Sequence, residues 1–193
     1  MSGRGLLIVL SGPSGCGKDT VLQELLRRRE DTVVSISVTT RAPRPGEVDG
    51  VHYFFRSKEE FLRLIGEDAF LEYAQYAGNY YGTPKDWVER QLQAGRHVVL
   101  EIEVQGAEKV LDKRPDAVSI FLQAPSMEEL ERRLRGRGTE SEETIRRRLE
   151  EAGRELARSV RYRYVVVNDT VTAAADRIDR ILDAEAKKVA ACE

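Results

Sequence analysis

Four stretches of the chain bring together residue types that handle phosphate. The first is SGPSGCGKDT at residues 11–20, where Gly12, Gly17 and Lys18 fall in the spacing G-x-x-x-x-G-K. Glycines let backbone N–H groups converge on phosphate oxygens with no Cβ in the way. A helix starting behind the loop adds its positive end, and Lys18 adds a point charge. Such a loop grips ATP or GTP; the plainer alternative is a glycine-rich structural turn. Asp19 stands where the motif usually places the hydroxyl that meets magnesium, and Thr20 follows it.

The second stretch, SVTTRAPRPGEVDGVHYFF at 37–55, is too rich in Pro and Gly for a plain helix. Its Arg41 and Arg44 carry guanidinium forks that bind phosphate in bidentate fashion, and Tyr53 offers a hydroxyl; an exposed basic loop is the bland alternative. The third, FLEYAQYAGNYYGT at 70–83, sets Glu72 among apolar neighbours, where an unpartnered carboxylate is costly. A ligand with paired donors would satisfy it, or the side chain simply faces outward. The fourth, ERRLRGRGTESEETIRRRL at 131–149, holds seven arginines between Arg132 and Arg148, with glutamates interleaved and glycines breaking it into helix, hinge and helix. It reads as a mobile cover that could bring arginines onto a transferring phosphoryl group, against a solvated helix face or a nucleic-acid stripe.

These residues need elements to position them. LLIVL at 6–10 reads as a buried strand and DTVLQELLRRR as the helix after the loop, with Val21, Leu22, Leu25 and Leu26 on one face. TVVSISV reads as a second strand, and VHYFF and FLEYAQYA as two more. A helix opened by the capping box of Ser57 and Glu60 lies between these last two. Thr83 is expected as the N-cap of the next helix with Pro84 at its first position, followed by HVVLEIEV as a buried strand. AVSIFLQ, a helix with a capping box at Ser126 and Glu129, a long helix from near Thr139, the strand RYVVVN and a final amphipathic helix complete the series. Alternating apolar strands and helices call for a parallel sheet covered on both faces, while residues 38–83 break the alternation as a separate lobe.

The chain has 193 residues, 31 basic and 33 acidic side chains and a net charge of −2, which offers no global field to nucleic acid or an anionic membrane. Two cysteines, Cys16 and Cys192, make no disulfide framework and fit a reducing cytoplasm. LLIVL is too short for a membrane span or a signal core. Nothing resembles a His–Asp or Cys–His catalytic pairing, and His52 and His97 are expected to be structural.

Taken in order, VLSGPSGCGK, SVTTRAPRPGEVDGVHYFF, GNYYGT, LEIEVQGA, GRGTESEETIRRRL and VNDT closely resemble the guanylate kinase family, over nearly the whole chain. The resemblance implies a three-layer α/β fold of the P-loop NTPase type with a central parallel sheet. It divides the chain into a core (1–37, 84–131 and 153–193), a small GMP-binding lobe (38–83) and a helical lid (132–152). It implies phosphoryl transfer from ATP to GMP with Mg2+ as cofactor, and dGMP as a further acceptor. The ATP-binding set it implies is Gly12, Pro13, Ser14, Gly15, Cys16, Gly17, Lys18, Asp19 and Thr20, with Asn168 near the adenine. Lys18, Arg41, Arg133, Arg137 and Arg148 would surround the transferring phosphoryl. Ser37, Glu72 and Thr83 would read guanine, and Arg41, Arg44, Tyr53 and Tyr81 would hold the GMP phosphate, with Glu47 beside them.

The chemistry of the base supports the same roles. Guanine presents a ring N–H and a 2-amino group side by side, and one carboxylate accepts from both; adenine has neither donor. Sites that hydrogen-bond in this way discriminate by about 10⁴–10⁵. The attacking oxygen already belongs to an anionic phosphate, so positioning and charge screening suffice and no general base is needed. Thr20 is the expected hydroxyl at the magnesium end, and Asp19 either faces solvent at the helix N-terminus or reaches metal-bound water. Glu103 departs from the family's usual aspartate. Glu101 and Glu103 alternate along a strand and so share a face, as candidates for orienting GMP or hydrated magnesium. Cys16 is read as a tolerated small side chain, or as a thiol of lowered pKa at a helix start.

Overall fold

The structure is a computed structural model, and it describes residues 3–76, 78–136 and 141–191. The first elements are β1 (Leu7–Ser11), α1 (Lys18–Arg28), β2 (Thr32–Val34), β3 (Val38–Thr39), β4 (Phe54–Phe55) and α2 (Lys58–Gly66). They are followed by β5 (Phe70–Tyr76), β6 (Asn79–Pro84), α3 (Lys85–Gln93), β7 (His97–Glu101) and α4 (Val104–Lys113). The rest of the described chain forms β8 (Val118–Gln123), α5 (Met127–Gly136), α6 (Glu142–Leu156), a short 3₁₀ turn at Ser159–Arg161, β9 (Tyr164–Val167) and α7 (Val171–Ala190).

β1 is buried along its whole length because it is the middle strand of a parallel sheet with order β2-β7-β1-β8-β9. Alternate residues of these strands feed opposite faces. Ile8, Leu10, Ile120, Leu122 and Val166 pack against Val21, Leu22 and Leu25 of α1 and Ala174, Ile178 and Leu182 of α7. Leu7, Val9, Val98, Leu100 and Phe121 pack on the other side against Val88 and Leu92 of α3 and Val104, Ala107 and Val110 of α4. The result is the three-layer architecture that alternating apolar strands and helices require.

Residues 38–84 form a second sheet, β4-β3-β6-β5, with α2 laid on it. Its separate apolar cluster is Val38, Phe61 and Phe70, with Tyr80 packed alongside. Phe61 has no exposed surface and stacks on Phe70 at 4.6 Å and Tyr80 at 5.3 Å. Helices α5 and α6 share a third small cluster of Leu130, Leu134, Ile145 and Ala152.

Several boundaries differ from the sequence expectation for local reasons. TVVSISV is two strands in two sheets: β2 pairs with β7, whereas Val38 pairs with Phe54 and Gly82. HVVLEIEV ends as a strand at Glu101, because Glu103 already serves as the N-cap of α4. Thr83 does not cap α3. It stays within β6, Pro84 takes the N-cap position without a side-chain bond, and the Thr83 hydroxyl is used elsewhere. The long helix has Ser141 as its N-cap, and Thr139 lies outside the described residues. The caps at Ser57 and Ser126 form as the spacing indicates, each hydroxyl accepting from the backbone N–H three residues on.

Candidate active site

The glycine loop joins the end of β1 to the start of α1, and its glycines are where the backbone turns left-handed. Gly15 has φ of 88° and Gly17 of 92°, conformations that L side chains rarely adopt. Gly17 also has no room for one, since a Cβ would lie 2.5 Å from Asn168 Nδ2. Asn168, at the end of β9, is 3 % exposed and donates that amide to the Cys16 carbonyl at 2.8 Å. Arg133 of α5 joins the same bracket, donating to the Asn168 carbonyl at 2.9 Å, to the Cys16 carbonyl at 3.4 Å and to Glu129 at 2.8 Å. Asn168 and Arg133 therefore both lie against the back of the loop. The Cys16 thiol is fully buried and burial pushes it up, the opposite of a reactive, acidified thiol.

On the open side of the loop is a cavity of about 340 Å³, lined by Gly12, Ser14, Gly15 and Gly17 and by Lys18, Asp19 and Thr20. Lys18 folds back to donate to the Gly12 carbonyl at 2.7 Å and that of Pro13 at 3.3 Å. Arg148, reaching from α6, donates to the Ser14 hydroxyl at 2.9 Å. Glu101 and Glu103 also line it, with Glu151 and Glu155 from α6. Burial, with the adjoining Asp19 carboxylate, pushes the Glu101 carboxyl up to about 7. Burial and the charge of Glu151 do the same to Glu155, also to about 7. Asp19 is solvent-exposed and at the same time lines the cavity beside Glu101. Glu101 and Glu103 do reach one cavity, from a strand end and a helix cap respectively.

The second sheet carries the other group. Glu72 on β5 is 9 % exposed, so it is not an outward-facing strand glutamate. Thr83 on the neighbouring β6 donates its hydroxyl to Glu72 Oε1 at 2.8 Å. Burial pushes the Glu72 carboxyl up, and the Thr83 hydrogen bond only partly counters it. Ser37 is half-buried where the chain crosses into this sheet, its carbonyl accepting from Phe54 N–H at 2.9 Å.

Arg41 makes a bidentate pair with Glu47, at 2.9 and 2.8 Å, and lies over the Tyr53 ring at 5.4 Å. Tyr81 meets Tyr53 edge-on at 6.2 Å. Glu47 also accepts from the Arg44 backbone N–H at 2.6 Å, and the two arginines hold its carboxyl down to about 2. Arg41, Arg44, Glu47, Tyr53 and Tyr81 are therefore one cluster. Arg137 lies outside the described residues.

Sequence reasoning did not single out Glu151 or Glu155, whose helical spacing resembles that of any solvated face. Nor did it single out Gly106 of α4, which touches Glu72: a Cβ built there would lie 3.2 Å from Glu72 Oε2. A helical glycine carries no sequence signal for such an approach. The histidines are structural as expected, His97 Nδ1 accepting from Leu6 N–H at 2.9 Å and His52 Nδ1 from Val48 N–H at 3.1 Å.

A glycine loop, a buried carboxylate and an arginine cluster are together the groups that could seat two phosphorylated ligands, one of them carrying a base with paired donors. Known proteins match nearly the whole chain. The family model described as guanylate kinase matches residues 4–185. A guanylate kinase of Desulfitobacterium hafniense (strain Y51) is 56 % identical over 96 % of this chain and 92 % of its own. That of Streptococcus thermophilus (strain CNRZ 1066) is 57 % identical over 96 % of this chain and 89 % of its own. Among solved structures, a guanylate kinase from Anaplasma phagocytophilum superposes with a TM-score of 0.72 at 42 % identity, covering 95 % of this chain and 87 % of that one. A shikimate kinase from Bacteroides thetaiotaomicron, at 15 % identity and a TM-score of 0.50, shares the fold alone. With a match of this extent, the chain belongs to the guanylate kinase family.

Proposed function

We infer that this cleft carries out the guanylate kinase reaction, ATP + GMP = ADP + GDP, with guanine read at Glu72 and the phosphates gathered between Lys18 and Arg41. The observation that carries the assignment of residues is the buried Glu72 carboxylate. One of its oxygens is anchored by Thr83, and among the described residues no cationic side chain is hydrogen-bonded to it, Lys109 and Lys113 acting on it through charge alone. Guanine supplies the two donors such a group needs. AMP would leave it facing an acceptor, with the penalty of an unpaired buried group.

In this reading a GMP phosphate oxygen attacks the terminal phosphorus of ATP, and ADP leaves. The glycine loop (Gly12, Pro13, Ser14, Gly15, Cys16, Gly17) holds the ATP phosphates by backbone N–H groups, and Lys18 leaves its two carbonyls for a phosphate oxygen. Arg148 stands at the loop already and screens the transferring group. Arg133 and Asn168 hold the loop from behind, and Arg137 belongs to the same cationic set. Arg41, Arg44, Tyr53 and Tyr81 take the GMP phosphate, with Glu47 ordering the arginines, and Ser37 and Thr83 complete the base pocket.

The oxygen donors of Thr20, Asp19 and Glu101 on the cavity wall suit a hard divalent cation, with Glu103 further along. Among the described residues no three acidic, imidazole or thiol side chains form a metal cage, so Mg2+ would share its ligands with phosphate oxygens and water. Such an ion supplies charge neutralisation of the phosphates. The separate apolar clusters support a core of 1–37, 84–131 and 153–193, a GMP lobe of 38–83 and a lid of 132–152. Among the described residues no helix is long and apolar enough to cross a membrane; a cytoplasmic enzyme of purine metabolism that also accepts dGMP fits this reading.

The test is ADP formation with MgATP and each of GMP, dGMP, AMP, UMP and CMP, with a chelator arm and the Glu72→Gln variant. GMP-dependent turnover, lost with chelator and weakened in the variant, is expected. Equal turnover of GMP and AMP by the unaltered protein would remove Glu72 from the reading.

A further inference from the structure

Gly106 is the third residue of α4, a helix whose Val104, Ala107 and Val110 are locked into the core. Its backbone has ordinary helical φ, so the chain does not require glycine there for its conformation. Glycine in a helix is unfavourable relative to alanine, and what it leaves is space. The space belongs to Glu72. A Cβ on residue 106 would lie 3.2 Å from Glu72 Oε2 and 3.6 Å from its Cδ. The first distance is tighter than ordinary van der Waals contact. Glu72 has little freedom to retreat, because Oε1 is held by Thr83 at 2.8 Å. A methyl group at 106 therefore swings the carboxylate about its Thr83 anchor, and the displacement falls on Oε2.

We propose that Gly106 is a specificity-determining position, where the missing side chain lets the second oxygen of Glu72 reach the 2-amino group of guanine. This rests on the reading of Glu72 as the guanine acceptor. Recognition of guanine by one carboxylate uses both oxygens, one for the ring N–H and one for the 2-amino group. Hypoxanthine has the same ring N–H and the same 6-oxo group but no 2-amino group, so IMP uses a single oxygen. Gly106 therefore sets the preference for GMP over IMP, while the choice against AMP stays with the other oxygen and the hydroxyls.

Steady-state kinetics of Gly106→Ala with GMP and IMP tests this, beside thermal unfolding of the same protein. KM for GMP should rise about tenfold, the size of one weakened charge-assisted hydrogen bond, and the GMP:IMP preference should shrink by a similar factor. KM for ATP should not change. The midpoint of unfolding should hold or rise, since alanine favours the helix. Gly153→Ala, with nothing within 4 Å of its Cβ, should raise the midpoint and leave the preference alone. In a Glu72→Gln background, Gly106→Ala should add nothing to the GMP defect. An unchanged GMP:IMP preference in Gly106→Ala overturns the proposal, as does an equal loss with both nucleotides. If Glu72→Gln itself leaves the preference intact, it is the reading of Glu72 that fails.

Discussion

The two walls of the cleft are prepared for ligand in opposite ways. On the base side, Glu72 is buried and anchored at one oxygen, and its carboxyl is held above its ordinary range because burial outweighs the Thr83 hydrogen bond and the charges of Lys109 and Lys113. On the phosphate side four of the cationic groups already have an acceptor. Lys18 rests on two loop carbonyls, Arg41 on Glu47, Arg133 on two backbone oxygens, and Arg148 on Ser14. A short carboxylate on a strand cannot turn away to water, so its deficit is stored in the fold. Long flexible cations find substitute acceptors, and phosphate must outcompete these. In the proposed reading, discrimination therefore comes from a group that waits unsatisfied, and phosphate capture from groups that exchange one partner for a better one.

Four experiments press on this contrast, beginning with the largest effect. Glu72→Gln keeps the shape but replaces one acceptor with a donor, and kcat/KM for GMP should fall about 10³-fold or more. A fall below tenfold would mean the base side carries little discrimination. Lys18→Met removes a charge that phosphate must recruit, with an expected loss of about 10²–10³ in kcat. Its measurement at saturating GMP and ATP separates transfer from binding.

The third experiment uses pH, where activity and the stability of the ligand-free fold respond with opposite signs. Glu72 must be ionised to accept two donors, so kcat/KM for GMP should decline on acidification, starting above the usual carboxylate range. The ligand-free fold should respond the other way. Glu101 and Glu155 titrate near 7 in the fold against an ordinary 4.5, so the folded state binds their protons more tightly than the unfolded chain does. Their contribution to stability is present in full below about pH 4.5 and is lost as pH rises through about 7. Unfolding midpoints across that window, without nucleotide, should show it; a rise in stability with pH there would count against the buried carboxyls. Smallest of all is Glu47→Gln. The pair it breaks with Arg41 is one the phosphate replaces, so KM for GMP should move by no more than about fivefold.

Much of this was legible in the residues themselves. The glycine loop could be read because its backbone demands glycine at Gly15 and Gly17, and the strands because fully buried strands in a parallel sheet leave unbroken apolar runs. Glu72 was visible as a charge among apolar neighbours, although whether it faced in or out depended on Thr83 standing across from it in the paired strand. Asp19 could not be placed, because its partner Glu101 is supplied by a strand eighty residues away. Thr83 misled as a cap, since a threonine before proline looks the same whether its hydroxyl serves a helix or a carboxylate. Gly106 was silent for the reason that makes it informative: what matters there is an atom that is absent.

The bracket behind the glycine loop has a consequence for synthesis. The loop and α1 lie within the first thirty residues, yet Asn168, which holds the Cys16 carbonyl, and α7, which covers α1, come more than 130 residues later. Arg28 and Arg29 at the end of α1 are tied to Asp176, Asp179 and Asp183 of α7. At about 5–20 residues per second, a ribosome makes the loop many seconds before it makes the parts that shape it. A growing chain thus carries the loop early and gains the loop's supports late, when α7 completes the helical layer that α1 began.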